Sequence, residues 1–100
     1  MDQKSDYTPD QIDRWLRAWV LLVDSVSPRL LKIRDDIEAA VATLDRNSPQ
    51  HLAVEMRMKG SSEQQIARAL GVSNTRGARI LREAREKMAR HLGWEGETAA

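Results

Sequence analysis

Apolar residues recur at helical spacing along the chain, and four short polar or proline-containing breaks separate the repeats. Thr8, Pro9 and Gln11 suit the N-cap, N1 and N3 positions of a capping box. The stripe that follows consists of Ile12, Trp15, Leu16, Trp19, Leu22, Val23 and Val26. Ser27-Pro28 ends this helix and begins a second one, whose stripe is Leu30, Ile33, Ile37, Val41 and Leu44.

Two more helices are predicted before a tight turn in the second half of the chain. The first covers about 49–59, and Gly60 suits the left-handed residue that closes it. The next begins behind Ser62, with Gln65 in the capping-box position, and ends at Leu70.

A last, longer helix follows the turn Gly71-Val72-Ser73 and runs to about His91-Leu92, where Gly93 stops it. Because a short helix, a tight turn and a second helix follow one another here, the spacing predicts a helix-turn-helix. The expected fold is all-α: a small five-helix domain with a C-terminal helix-turn-helix.

The same pattern predicts how the chain is organised. Residues 1–8 are expected to form a flexible leader and 9–47 an N-terminal helical pair that is a candidate for a protein contact. Residues 48–93 form the predicted DNA-binding region, and 94–100 are a tail. One hundred residues suit a single compact domain.

The last predicted helix has one apolar side and one basic side. At about 100° per residue, Gly77, Leu81, Ala84 and Met88 fall together and are expected to face the core. A recognition helix contacts base edges with its N-terminal residues, where Arg suits guanine and Asn suits adenine. The residues expected at the base edges are Asn74, Thr75, Arg76 and Arg79.

Phosphate contacts are expected on either side of these residues. Arg82, Arg85 and Arg90 lie further along the helix, where they would position the protein without reading sequence. The backbone amides behind Ser62 and Ser73 offer two more phosphate sites, since a helix N-terminus attracts anions.

Charge is unevenly distributed along the chain. Residues 1–47 hold seven Lys/Arg and nine Asp/Glu, a net charge of −2, whereas 48–100 hold nine and six, a net charge of +3. Residues 74–92 hold six Lys/Arg and two Asp/Glu, so a net charge of +4 falls on one helix. The alternative is a solvated helix face with Glu83–Lys87 and Glu86–Arg90 pairs, which would leave Arg76, Arg79 and Arg85 unmatched.

Gly77 is unusual because glycine inside a helix costs about 1 kcal/mol relative to alanine. Close packing on one of the two preceding helices is favoured over close approach to DNA, since this position faces inward.

Composition argues against several functional classes. The chain has no Cys, its N-terminus lacks a signal-peptide pattern, and its longest apolar run, Ala18–Val23, is too short to span a bilayer. We therefore expect a cytoplasmic protein with no membrane partner. His51 and His91 are isolated and no nucleophile or phosphate-loop pattern occurs, so we expect no catalytic residue, metal or cofactor.

The segment G-x-S-x-x-x-I-A-x-x-L-G-x-S resembles region 4 of bacterial sigma factors and their relatives. Here it comprises Gly60, Ser62, Ile66, Ala67, Leu70, Gly71 and Ser73, within about a third of the chain. The resemblance is specific for the helix-turn-helix fold but not for the function, because several classes of regulator share it.

A resemblance over most of the chain is to the short Q-type antitermination proteins of lambdoid phages. RWLRAW, DDIEAAVATLDRNSPQHL and the helix-turn-helix carry it, through Trp15, Trp19, Asp35, Asp36, Leu44, Ser48, Pro49 and Leu52. It implies a protein that binds double-stranded DNA near a late promoter and makes RNA polymerase resistant to terminators.

Other functions remain open at this point. The chain could be a generic sigma-region-4-like activator or repressor, a polymerase-binding module with weak DNA affinity, or a DNA-docking subunit of a packaging assembly. Trp15 and Trp19 are either core anchors or an exposed protein contact, with polymerase or a second copy of the chain as partner.

Overall fold

The structure, a computed structural model, describes residues 7–96. In this range the chain is all-α, as the apolar periodicity predicts. The helices are α1 (Pro9–Arg17), α2 (Trp19–Val23), α3 (Pro28–Val41), α4 (Pro49–Met58), α5 (Glu63–Leu70) and α6 (Asn74–His91).

Local capping explains where several of these helices begin. The Thr8 hydroxyl accepts a hydrogen bond from the Gln11 amide at 3.2 Å, and the Ser48 hydroxyl accepts one from the His51 amide at 3.1 Å. Proline occupies the first turn of α1, α3 and α4, where its missing N–H has no helical partner to lose. The starts predicted for these helices are therefore confirmed.

The prediction of one helix from Pro9 to Val26, and hence of five helices in all, is wrong. The helix breaks at Ala18, whose φ of −99° and ψ of 17° are not helical, and α2 ends at Val23. On an unbroken helix, Leu22 would lie about 120° around the axis from Leu16, because successive residues are about 100° apart. The break allows both leucines to be fully buried, and it makes six helices among the described residues.

Helix α6 is the central element of the core. It packs against α1, α3, α4 and α5, while α2 packs mainly on α3 and α1. The buried side chains come from the inner faces of the helices and include Ile12, Leu16, Leu22, Ile37, Val54, Ile66, Leu81 and Met88. The result is a compact globule around one core.

Parts of the predicted leader and tail belong to the folded domain. The Tyr7 hydroxyl donates a hydrogen bond to Asp36 at 2.7 Å, and Thr8 caps α1. Trp94 packs on the core, and its amide donates to the Ala89 carbonyl at 2.9 Å. Residues 1–6 of the predicted leader and 97–100 of the predicted tail lie outside the described residues.

Candidate nucleic-acid interface

The N-termini of α5 and α6 are both fixed by serine caps. Ser62 and Gln65 form a reciprocal capping box: the Ser62 hydroxyl accepts from the Gln65 amide at 3.2 Å, and Gln65 Oε1 accepts from the Ser62 amide at 2.8 Å. The Ser73 hydroxyl accepts from the Arg76 amide at 3.1 Å. Each cap leaves first-turn amides of its helix available to an anion, and both serines are exposed.

A tight three-residue turn connects α5 and α6. Gly71 adopts the left-handed conformation with φ of 70°, and the Val72 amide donates to the Ala67 carbonyl at 3.0 Å. Only Gly71, Val72 and Ser73 separate the two helices.

The inner face of α6 consists of the residues that the periodicity predicts. Gly77, Leu81, Ala84 and Met88 are all buried. A Cβ atom added to Gly77 would lie 2.6 Å from Ala67 Cβ and 3.0 Å from Ala67 Cα. Gly77 is therefore explained by close packing of α6 on α5, as its inward position predicts.

The outer face of α6 carries most of the predicted interface residues. The residues exposed on this face are Thr75, Arg76, Arg79, Arg82 and Arg90, and Asn74 is exposed at the first position of the helix. Because the inner face of the same helix is fixed in the core, these side chains project from a rigid element. This arrangement brings the predicted base-reading residues together in the first two turns.

The arginines on the outer face differ in their surroundings. Among the described residues, Arg76 and Arg82 have no ion-pair partner, whereas Arg79 Nε lies 3.9 Å from Glu83 Oε2 in an exposed pair. An exposed pair of this kind contributes little to stability, so Arg79 can exchange it for another acceptor. The Arg90 guanidinium lies 5.5 Å from the centroid of the Trp94 ring, in a cation–π contact.

Arg85 lies apart from this surface. Its side chain is only 15% exposed, and its Nη1 lies 3.0 Å from Asp13 Oδ1. It was expected to be unmatched and to contact phosphate, but its charge is already engaged inside the domain. We therefore leave Arg85 out of the candidate interface.

Asp13 is the centre of a cluster that joins three helices. In addition to Arg85 of α6, its carboxylate contacts Arg57 Nε of α4 at 3.3 Å and Arg17 Nε of α1 at 3.2 Å. Arg57 also donates to the Ser61 carbonyl at 3.2 Å. This Asp13 cluster fixes α6 relative to α1 and α4, and so fixes the orientation of the outer face.

The sequence contains a signal for Asp13 that the prediction missed. Asp13 lies at the edge of the apolar stripe of α1, about 60° around the axis from Leu16, and it is the one buried charged residue in the described range. A carboxylate is seldom buried without a cationic partner. The identity of the partner could not follow from periodicity, because Arg57 and Arg85 are distant in the chain.

Trp15 and Trp19 are both partly buried and pack against the core. Neither ring forms a fully exposed surface. Four of the five exposed large apolar residues of the described range lie close to them in the chain, in α2 and the segment that follows it.

Residues 7–96 contain no group of three or more His, Asp or Glu side chains placed to hold a metal ion. Nor does any helix of this part of the chain combine the length and apolar character that a membrane span requires. No protein-family model, curated protein or solved structure matches the chain.

Proposed function

We propose that this protein is a sequence-specific DNA-binding regulator of transcription, and not an enzyme. In this proposal, α5, the turn Gly71–Ser73 and α6 act as a helix-turn-helix, with α6 in the major groove. The observation that carries the proposal is the start of α6, where Thr75, Arg76 and Arg79 are exposed on the side opposite the buried face and Asn74 is exposed at the first helical position. Rigid presentation of these side chain types suits base-edge recognition.

The exposed residues divide into two proposed roles. Arg76 and Arg79 suit bidentate contacts to guanine, and Asn74 suits adenine. Arg82 and Arg90, further along α6, contact phosphates and set the register of the protein on the duplex. The N-termini of α5 and α6, at Ser62 and Ser73, add two phosphate contacts.

In its most specific form, the proposal is antitermination of a phage type. The protein would bind near a late promoter and act on RNA polymerase, and the support is the resemblance carried by the Trp-containing first helix and the DDIEAAVATLDRNSPQHL segment. A generic activator or repressor would use the same DNA contacts. Selection of binding sites from a random duplex pool at about 150 mM salt tests the DNA step that both share.

Arg79→Ala is expected to weaken binding to the selected site by about 1–3 kcal/mol and to relax one base position. Arg79→Lys keeps the positive charge but loses the bidentate geometry, so it should relax the same position while leaving the salt dependence nearly unchanged. Fluorescence anisotropy with matched and single-base-altered duplexes, each titrated with salt, measures both effects.

Arg82→Ala is the matched control, since Arg82 is an exposed arginine one turn further along α6. It should weaken binding to all DNA sequences alike. It should also reduce the slope of log affinity against log salt concentration by about one. Equal losses on specific and random DNA for Arg79→Ala would contradict the role of Arg79. No enriched sequence for the wild-type protein would contradict sequence-specific binding altogether.

A further inference from the structure

The exposed large apolar residues of the described chain are concentrated in one segment. Five such residues are exposed, and four of them lie within residues 20–26: Val20 is 64% exposed, Leu21 72%, Val23 48% and Val26 89%. We call these four residues the α2 patch. Single exposed apolar residues are ordinary, but four within seven consecutive residues indicate an interaction surface.

The four residues of the α2 patch are not needed to attach α2 to the domain. Leu22 is buried and Trp19 packs against the core, so these two residues attach α2 to the domain. The break at Ala18 turns Leu22 inward and leaves its neighbours facing solvent. Four polar residues at the same positions would leave the described core unchanged, so the apolar character of the patch calls for a partner.

Opposite charges flank α2. Arg17 precedes the helix, with a side chain that remains 57% exposed while one nitrogen contacts Asp13. Asp24 follows α2 and is exposed. If two such segments meet antiparallel across a two-fold axis near Val20 and Leu21, Arg17 of each copy lies beside Asp24 of the other. The surface is therefore complementary to itself in both charge and apolar character, as an isologous interface requires.

We propose that the α2 patch is the dimer interface of this protein and that its partner is a second copy of the chain. Four side chains form only the centre of an interface, compared with roughly 20–30 residues a side in a standard stable complex. We therefore expect a weak dimer, with a dissociation constant on the order of 10 µM. Two DNA half-sites would strengthen it through the high effective concentration of linked binding events.

The position of the patch is compatible with DNA binding. Helix α2 packs mainly on α3 and α1, and α6, which packs against α1, α3, α4 and α5, is not among its main partners. The association of two chains does not depend on the proposed function. Only its consequence, the reading of two half-sites, rests on that proposal.

Analytical ultracentrifugation of the free full-length protein, from about 1 to 300 µM, tests the interface directly. The mass should rise with concentration from 11.4 kDa toward twice that value. Leu21→Glu should raise the dissociation constant at least about tenfold, because it places two carboxylates in the apolar contact. Leu52→Glu is the control, since Leu52 is an exposed apolar residue on α4 outside the patch. Circular dichroism on both variants verifies that they are folded.

A charge variant tests the antiparallel arrangement separately. Asp24→Lys should weaken the dimer, because it places Lys beside Arg17 of the second copy, and the effect should shrink at high salt. Glu38→Lys makes the same change of charge at an exposed position on α3 and should have little effect.

A mass that stays at 11.4 kDa throughout, or equal effects of Leu21→Glu and Leu52→Glu, would overturn the proposal. Retention of RNA polymerase by a chain that remains monomeric, lost in Leu21→Glu, would assign the patch to polymerase instead. Because sedimentation is measured without DNA, failure of the dimer is distinguishable from failure of DNA binding in the anisotropy experiment.

Discussion

Replacing Asp13 with alanine is expected to reduce the free energy of unfolding by about 3–5 kcal/mol, because removing one partner of a buried ion pair leaves uncompensated charge. The guanidinium groups of Arg57 and Arg85 would then remain in the interior without their carboxylate. Since small domains are typically stable by only about 5–15 kcal/mol, the loss is a large share of the total. Urea denaturation followed by circular dichroism measures it.

Asp10→Ala is the matched control, because Asp10 is an exposed carboxylate in the first turn of the same helix. Its removal should lower the free energy of unfolding by at most about 1 kcal/mol, because only a favourable interaction with the helix dipole is lost. In the Asp13→Ala background, Arg85→Met should recover part of the lost stability, since it removes one buried charge and retains apolar volume. Similar losses for Asp13→Ala and Asp10→Ala would show that the Asp13 cluster does not hold the helices together.

The parts of this fold that the sequence predicts are those determined by nearby residues. Ser62 and Gln65 cap α5 through contacts three residues apart, and the inner face of α6 follows from helical periodicity alone. The exposed outer face of α6 is predicted for the same reason, because it is the complement of that inner face.

Contacts between distant residues explain what the sequence did not predict. The periodicity of the first helix continues past Ala18, and only the packing of α2 on α3 and α1 reveals the break there. Arg85 has the composition and position of a phosphate contact, yet Asp13 on α1 engages it. One additional cue was available locally: Asp13 lies at the edge of the apolar stripe of α1, and a carboxylate that becomes buried there requires a cationic partner.

Gly77→Val is expected to cost about 3 kcal/mol of stability, at the upper end of the range of about 1–3 kcal/mol for overpacked sites. Even the first added carbon atom would lie 2.6 Å from Ala67 Cβ and 3.0 Å from the Ala67 backbone. Neither neighbour is the end of a flexible side chain, so relief requires α5 and α6 to move apart. Because that movement changes the angle at which the outer face of α6 is presented, affinity for the selected DNA site should fall as well.

A double-mutant cycle separates this clash from the intrinsic helix preference of each residue. At a solvent-exposed position inside a helix, Gly→Ala would stabilise the protein by about 1 kcal/mol. Here we expect Gly77→Ala to destabilise the protein, because the new Cβ would clash with Ala67 Cβ. In an Ala67→Gly background the nearest clashing atom is gone, so Gly77→Ala should become markedly less harmful, with a coupling of about 1 kcal/mol or more between the two sites. Thermal denaturation of the four proteins gives the coupling. Additive effects would mean that α5 and α6 do not meet at these residues, and the rigid presentation of Asn74, Arg76 and Arg79 would lose its structural basis.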